Sequence, residues 1–135
     1  MAVIFLKLNL KDQQEIVVLG APSSFEPVLA QLPALHIHRN LESMPEAAFL
    51  LAFVTRKAEV NALAAQVAVC AKGDAIVWFA YPKLSSKKLK CDFNRDTGWD
   101  ALHALGFETV RAVAIDEDWS ALRFRRREFV KARAK

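Results

Sequence analysis

The stretch Ala47–Ala80, which reads AAFLLAFVTRKAEVNALAAQVAVCAKGDAIVWFA, determines the fold class. It opens with Ala47–Val54, an unbroken apolar run of the length expected for a fully buried strand. It closes with Ala75–Ala80, a second run of the same kind. Between the two runs the apolar residues recur with the period of a helix. A buried strand, a helix and another buried strand predict a parallel sheet with helices packed on its faces.

The helix between these strands is predicted to be amphipathic. Thr55 is expected to cap its amino terminus and Gly73 to close its carboxyl terminus. Cys70 lies near the apolar face and is interpreted as an inert core thiol. The apolar positions, which follow the spacing i, i+3, i+4, i+7, i+8 and i+11, are Val60, Leu63, Ala64, Val67, Ala68 and Ala71.

The amino-terminal part of the chain contains two further strands. Ile16–Gly20 is a β-branched run that ends at a glycine, and Leu35–His38 alternates apolar and polar residues. Between them, Ser23 and Glu26 have the spacing of a capping box, which predicts a short helix. Residues 2–10 fit either an alternating strand or an amphipathic turn of helix, and we favour the strand.

The carboxyl-terminal part of the chain predicts a hairpin. After a short helix near residues 98–105, the strands Val110–Ile115 and Trp119–Arg126 are joined by the acidic turn Asp116–Asp118. We therefore expect one α/β domain over residues 1–135, with a mostly parallel sheet and an antiparallel hairpin at its carboxyl-terminal end.

The net charge of +4 is concentrated at the end of the chain. Residues 1–122 contain 12 Lys and Arg against 14 Asp and Glu, whereas residues 123–135 contain seven Lys and Arg against Glu128 alone. The body therefore carries −2 and the tail +6. This distribution argues against a uniformly basic nucleic-acid-binding domain, and residues 128–135 are interpreted as a short basic end.

The composition excludes several classes of protein. With 53% hydrophobic and 25% charged residues, the chain is neither disordered nor low in complexity. Its longest apolar run is far too short to span a bilayer, and we expect neither a secretory signal nor a membrane partner. Cys70 and Cys91 are too few for a disulfide framework, which predicts a cytoplasmic protein.

The order of strands and helices resembles the class I S-adenosylmethionine methyltransferase fold, a three-layer Rossmann-like architecture. In that fold a glycine-rich turn follows the first strand, here Ile16–Gly20, and the sheet ends in a reversed hairpin. Lys72–Val77 resembles the turn into the fifth strand of that fold, and Leu105–Val110 resembles the entry to its final hairpin. The likeness covers about residues 13–127.

Three segments, Leu19–Pro22, Trp78–Lys87 and Asp116–Phe124, carry a closer resemblance. They resemble a family of short bacterial proteins of unknown function, which look like reduced, degenerate relatives of the methyltransferase fold. Since that family has no assigned activity, this resemblance supports the fold and implies no mechanism.

Three features differ from the methyltransferase pattern. The turn Gly20–Ser24 keeps one glycine and contains Pro22, which has no N–H donor. His38-Arg39-Asn40 occupies the place after the second strand where the pattern has an acidic residue for the ribose hydroxyls. One strand–helix unit is also absent. We therefore predict no cofactor and do not favour an enzymatic role.

The loop after the strand Ala75–Ala80 is the first candidate binding site, because ligands of open α/β sheets bind beyond the carboxyl ends of strands. Its basic and hydroxyl side chains can hold a phosphate or a carboxylate. The alternative is a solvated basic loop without a ligand. Together with the turn after the first strand, the candidate ligand-binding residues are Gly20, Pro22, Ser23, Tyr81, Pro82, Lys83, Ser85, Ser86, Lys87 and Lys88.

Asp116, Trp119 and Arg123 form a second candidate cluster. Trp119 between an acidic turn and an arginine-rich strand is either a surface aromatic for stacking or a packed side chain. Arg123 can pair with Asp116 or Asp118 across the hairpin, which makes the cluster structural. We favour the structural interpretation, because tryptophans beside a sheet usually pack.

We predict neither a metal site nor a catalytic residue. His36 and His38 project from the same face of a strand, but no third ligand is identifiable nearby in the sequence. Packing of both histidines at a sheet edge is therefore favoured. Cys91 lies in a charged loop and is the more reactive of the two thiols, but nothing beside it forms a Cys–His pair.

The function we favour is that of a non-catalytic module that binds a small anionic ligand or a protein partner. One alternative is a small S-adenosylmethionine-dependent methyltransferase with an atypical cofactor loop. A second alternative is association with nucleic acid through residues 83–90 and the carboxyl-terminal basic residues, which is the less favoured partner. A homodimer through the exposed edge strand is a further hypothesis.

Overall fold

A computed structural model of the protein describes residues 3–10, 13–32, 35–41, 46–87, 89–91, 93 and 97–130. The strands of this part of the chain are β1 (Glu15–Leu19), β2 (His36–His38), β3 (Ala47–Phe53), β4 (Ala71–Pro82), β5 (Phe107–Ala114) and β6 (Trp119–Arg126). The helices are α1 (Val3–Lys7), α2 (Glu26–Leu29), α3 (Lys57–Cys70), α4 (Asp100–Ala104) and α5 (Arg127–Val130), and a 3₁₀ turn, Ser23–Phe25, precedes α2.

All the strands belong to one sheet in the order β2-β1-β3-β4-β6-β5. The pairs β1–β2, β1–β3 and β3–β4 are parallel, whereas β6 runs antiparallel to both β4 and β5. The last of the described strands, β6, therefore inserts beside the centre of the sheet, and its hairpin partner β5 forms the outer edge. The predicted fold class, a mostly parallel Rossmann-like sheet with an antiparallel carboxyl-terminal hairpin, is confirmed.

Helices cover both faces of the sheet and make three layers. One face buries Leu50 and Phe79 against α3 and α4, and the other buries Phe49 and Trp78 against α1 and α2. Successive strand residues point to opposite faces, which explains why neighbours in sequence belong to different clusters. Each large side chain buried in this way stabilises the fold by about 1.5–3 kcal/mol. Among the described residues, no helix is long and apolar enough to cross a bilayer.

Helix α3 is confirmed, but both of its ends differ from the prediction. Arg56 is the residue before the first turn, and the Glu59 carboxylate accepts the backbone N–H groups of Thr55 at 2.7 Å and Arg56 at 3.0 Å. The expected cap at Thr55 is therefore wrong, because the capping acceptor comes from inside the helix. The helix ends at Cys70, which is buried, and Gly73 lies inside β4 with a φ of +57°.

The preference for a strand in residues 2–10 is wrong, because Val3–Lys7 forms α1. Phe5 and Leu8 are fully buried on one helical side, whereas Leu6 is exposed. Asn9 ends the helix in the left-handed conformation, with a φ of 68°. The Trp78 indole Nε1–H donates to the backbone carbonyl of Leu8 at 2.8 Å, and this contact with β4 fixes the end of the helix.

Candidate ligand-binding site

The two predicted clusters meet where the parallel strands end, a region that we call the carboxyl end of the sheet. Gly20 follows β1 there, and Lys83 follows β4. The turn Asp116–Asp118 lies at the same place because Trp119, the first residue of β6, pairs with Pro82, the last residue of β4. The structure therefore brings the loop after β4 and the hairpin turn together.

Gly20 makes a tight turn against β3. Its φ is +66°, and a Cβ atom at this position would lie 2.9 Å from the backbone oxygen of Phe53. Both the conformation and the space therefore require glycine. Pro22, next along this turn, is half-buried, and Ser23 is exposed. The turn consequently keeps the chain close to the carboxyl end of the sheet and leaves the Ser23 hydroxyl accessible.

Glu26 and Arg39 form an ion pair beside this turn. The guanidinium donates from Nη1 to Oε2 at 2.8 Å and from Nη2 to Oε1 at 3.0 Å. The predicted capping box of Ser23 and Glu26 is wrong, because α2 begins at Glu26 without a side-chain cap and the carboxylate is held by Arg39. The hydrogen bonds from Arg39 lower the pKa of Glu26 below its usual value. Glu26, which belongs to α2, therefore lies next to Arg39, the residue that follows β2.

The loop after β4 is bonded to the hairpin turn. Lys83 donates its backbone N–H to the carbonyl of Asp118 at 2.7 Å, and Ser86 donates its hydroxyl to the Asp118 carboxylate at 2.8 Å. Leu89 donates its backbone N–H to the Ser86 hydroxyl at 3.1 Å. The Ser86 side chain, predicted as a ligand donor, is thus engaged in positioning the loop.

The other predicted residues of this loop divide into buried and exposed positions. Tyr81 and Pro82 are buried, and the Tyr81 ring meets the Trp99 ring edge-on with centroids 5.6 Å apart. Ser85 and Lys87 are exposed. Lys88 lies outside the described residues. Tyr81 and Pro82 therefore support the loop from beneath, and Lys83 remains as the predicted basic residue closest to the sheet.

A cavity of about 280 Å³, here called the β4 cavity, opens within this loop. Its volume is near the lower end of the range for small-molecule sites. Two lysines and a half-buried cysteine line it together with apolar residues, a composition that suits a small anion with an apolar part. The cavity is lined by Pro82, Lys83, Leu84, Ser86, Leu89, Lys90, Cys91 and Phe93.

The sequence analysis named Pro82, Lys83 and Ser86 of this cavity and included Lys90 in the loop 83–90, but it missed Cys91 and Phe93 as lining residues. Phe93 is buried, and its ring meets that of Trp99 edge-on at 4.9 Å. An isolated aromatic residue between charged residues carries no period that predicts burial. The burial of Phe93 depends on its contacts with Tyr81 near the end of β4 and with Trp99 beside α4, and no local pattern predicts those contacts.

A second cavity of about 370 Å³ lies beside the edge strand β5. Its polar groups contact other parts of the protein: His103 Nδ1 is 3.0 Å from the carbonyl of Phe107, and Arg111 donates to the side chain of Asn9 at 3.3 Å. The lining residues are Trp99, His103, Thr109, Val110, Arg111, Ala112 and Leu122. We therefore place the candidate ligand site in the β4 cavity, at the end of the sheet where ligands of such folds bind.

Trp119 in the second predicted cluster is packed. Its side chain is 5% exposed, and its ring meets that of Phe53 edge-on with centroids 5.1 Å apart. The Asp116 carboxylate accepts the backbone N–H groups of Asp118 and Trp119, both at 2.8 Å. The interpretation of Trp119 as a surface aromatic for stacking is therefore wrong, and Asp116 shapes the hairpin turn.

The arginines near the carboxyl terminus contact the protein itself. Arg125 donates to both carboxylate oxygens of Asp74, at 2.8 and 2.7 Å, while Arg126 binds carbonyls at the end of α3 and Arg127 pairs with a glutamate of β5. The hydrogen bonds from Arg125, aided by the charge of Arg123, lower the pKa of Asp74. Arg123 itself lies within β6, where it is the strand partner of Trp78 in β4. Much of the basic charge in this segment therefore joins secondary-structure elements.

Comparisons with known proteins give a fold. No family model matches the sequence, and no curated protein matches it. The structure is similar to an S-adenosylmethionine-dependent methyltransferase from Aquifex aeolicus, with a TM-score of 0.63 and 10% identity over 90% of this chain and 87% of that one. The chain has the class I methyltransferase fold.

Two further solved structures support this result. The Methanococcus jannaschii fibrillarin pre-rRNA processing protein gives a TM-score of 0.56 with 14% identity over 87% of this chain and 68% of that one. The antibiotic-resistance methyltransferase Kmr gives a TM-score of 0.51 with 10% identity over 93% of each chain. At these identities the likeness is one of fold and does not establish an activity, which depends on the residues of this chain.

Proposed function

We propose that this chain binds S-adenosylmethionine at the carboxyl end of the sheet and acts as a small methyltransferase, as a reduced relative of the larger enzymes of this fold. The observation that carries the proposal is the left-handed Gly20 turn at the end of β1, within a sheet that matches those enzymes over most of its length. We favour the methyltransferase function over the non-catalytic module because the chain shares its fold with S-adenosylmethionine-dependent enzymes.

The residues around Gly20 fit this cofactor. The turn keeps the backbone that follows β1 close to the carboxyl end of the sheet. The exposed Ser23 hydroxyl can donate a hydrogen bond to the carboxylate of the cofactor. The Glu26 carboxylate can accept bonds from ribose hydroxyls, since each of its oxygens has a second lone pair beside the bond from Arg39. Pro22 offers no N–H, so the number of backbone donors is reduced. When bound, the cofactor supplies a methyl group on a positively charged sulfur.

Calorimetry with S-adenosylmethionine and with S-adenosylhomocysteine tests this proposal. We expect binding of both, and we expect Glu26→Gln to raise the Kd by about tenfold, because the charged acceptor is lost and Arg39 becomes uncompensated. Glu128→Gln, an exposed glutamate of α5, is the control and leaves the Kd unchanged. Absence of binding at millimolar cofactor, or equal affinities of the wild type and Glu26→Gln, would contradict the proposal.

A second candidate function rests on the β4 cavity: a module that binds a small anionic ligand without catalysis. Lys83 and Lys90 line the cavity, whereas Lys87 belongs to the same loop, is exposed and does not line it. Lys87 therefore provides a matched control for the charge of the loop. The same cavity can also serve an anionic methyl acceptor, so the two functions share this part of the site.

Thermal unfolding in the presence of phosphate, nucleotides and carboxylic-acid metabolites tests the cavity. We expect at least one anion to raise the Tm of the wild type and of Lys87→Ala, because binding to the folded state stabilises it. In Lys83→Ala/Lys90→Ala the shift is expected to vanish, because both cationic partners are removed. An equal shift in all three proteins would place the anion elsewhere.

A further inference from the structure

Glu15, His36 and His38 form a cluster on the two outermost parallel strands. Glu15 begins β1 and lies directly opposite His36 of β2, and Val17 lies opposite His38. Because side chains alternate along a strand, His36 and His38 project from the same face. Their rings stack with centroids 4.2 Å apart and planes inclined by 14°. The parallel register thus adds a carboxylate to a pair of imidazoles.

The three side chains converge on one point. His38 Nε2 is 2.9 Å from Glu15 Oε1, and His36 Nδ1 is 3.9 Å from the same oxygen. One potential ligand atom from each residue lies within 4.8 Å of the others. Nitrogen and oxygen ligands about 2.0–2.2 Å from a tetrahedral ion are roughly 3.3 Å apart, so small side-chain movements close the cluster around an ion.

The cluster contains one buried side chain, which is fixed in place, and two exposed side chains, which can rotate. The His38 side chain is 9% exposed, whereas those of His36 and Glu15 are 69% and 53% exposed. A fixed imidazole sets the position of an ion, and the two exposed groups can rotate to meet it. The neighbouring cation, Arg39, is held by Glu26 and so does not compete for the Glu15 carboxylate.

We propose that Glu15, His36 and His38 form a binding site for a divalent transition-metal ion such as Zn²⁺ or Cu²⁺. Two imidazole nitrogens and one carboxylate oxygen suit these borderline ions and disfavour Mg²⁺ and Ca²⁺, which take oxygen ligands. Three protein ligands leave a fourth position for water or a further ligand. The site lies on β1 and β2 away from Gly20, so its existence does not depend on the proposed function.

Titration calorimetry of tag-free, chelator-treated protein with Zn²⁺ at about pH 7.5 tests the site. We expect one ion per chain with a Kd on the order of 1 μM. Glu15→Gln and His36→Ala, both at exposed positions, are expected to weaken binding at least tenfold, because the first removes the anionic ligand and the second removes an imidazole. His103→Gln, which alters the remaining histidine of the sequence, is expected to bind as the wild type does.

Co²⁺ spectra of the same proteins separate this site from a cysteine site. Nitrogen and oxygen ligands give weak visible bands only, whereas a thiolate adds an intense charge-transfer band, so Cys91→Ser is expected to leave the spectrum unchanged. Circular dichroism establishes that each variant is folded. Failure of the wild type to bind Zn²⁺ and Cu²⁺ at 100-fold the expected Kd, wild-type affinity in Glu15→Gln and His36→Ala, or loss of binding in Cys91→Ser would each overturn the proposal.

Discussion

Gly20→Ala is expected to lower the free energy of unfolding by about 2–4 kcal/mol. The methyl group would lie 2.9 Å from the Phe53 carbonyl oxygen, which belongs to the backbone of a central strand and cannot rotate away. Alanine also pays for the left-handed conformation at a φ of +66°. Urea unfolding followed by circular dichroism measures the loss.

Gly73→Ala is the matched control for this prediction. Its φ of +57° is close to that of Gly20, but a Cβ atom at Gly73 meets no atom within 4 Å. We therefore expect a loss of only about 1 kcal/mol, which comes from the backbone conformation alone. Equal losses in the two variants would show that the contact with Phe53 adds nothing to the requirement for glycine at position 20. Any ligand that binds beside this turn should also bind less tightly to Gly20→Ala than to Gly73→Ala.

Trp78→Ala is expected to destabilise the protein by about 3–5 kcal/mol and to release α1. The side chain is fully buried on the face that α1 covers, and its indole donates to the carbonyl of Leu8 at 2.8 Å. Trp78→Phe keeps most of the apolar volume and loses the donor, so we expect a smaller cost of about 1–3 kcal/mol from the unsatisfied Leu8 carbonyl. Urea unfolding and the rate of limited proteolysis near Leu10 measure the two effects.

Phe79→Leu is the control for Trp78→Phe, because Phe79 is its neighbour in β4, is equally buried and points to the opposite face. It should lower the global stability while the segment near Leu10 stays protected from protease. If Phe79→Leu exposed that segment as readily as Trp78→Phe does, the indole hydrogen bond would have no special role in holding α1.

The sheet could be predicted because its strands contain long local signals. The apolar runs of β3 and β4 and the period of α3 are readable in windows of eight to fifteen residues, roughly the length at which periodicity becomes decisive. The faces of β6 also follow from alternation: Trp119 and Ala121 join one core cluster, and Leu122 and Phe124 join the other. Such assignments need no knowledge of distant contacts.

Helix α1 could not be predicted in the same way. Its five residues are too few for the helical period to exceed the alternating one, since Leu6, Leu8 and Leu10 fit a strand whereas Phe5 and Leu8 fit a turn of helix. What selects the helix is the docking of Phe5 against Phe25 and Phe49 and the hydrogen bond from Trp78 to Leu8. These partners come from residues far away in the sequence.

The candidate sites also divide into features that local sequence predicts and features that depend on contacts distant in the sequence. Position at the end of a buried strand predicts a loop site at Lys83, and the structure places a cavity there. No third group beside His36 and His38 was identifiable from the sequence, because the register of two parallel strands, which sets Glu15 opposite His36, has no local signal. The one available clue was that Glu15 immediately precedes the predicted strand Ile16–Gly20.

The position of β4 between β3 and β6 has a consequence during synthesis of the chain. Only α3 separates β3 from β4 in the sequence, whereas β6 is the last of the six described strands to be synthesised. Until then, Val77–Ala80 present an apolar strand with one edge of backbone donors and acceptors open. The nascent chain therefore passes through a stage in which a central strand exposes an unpaired apolar edge, and association with other chains is favoured during this interval.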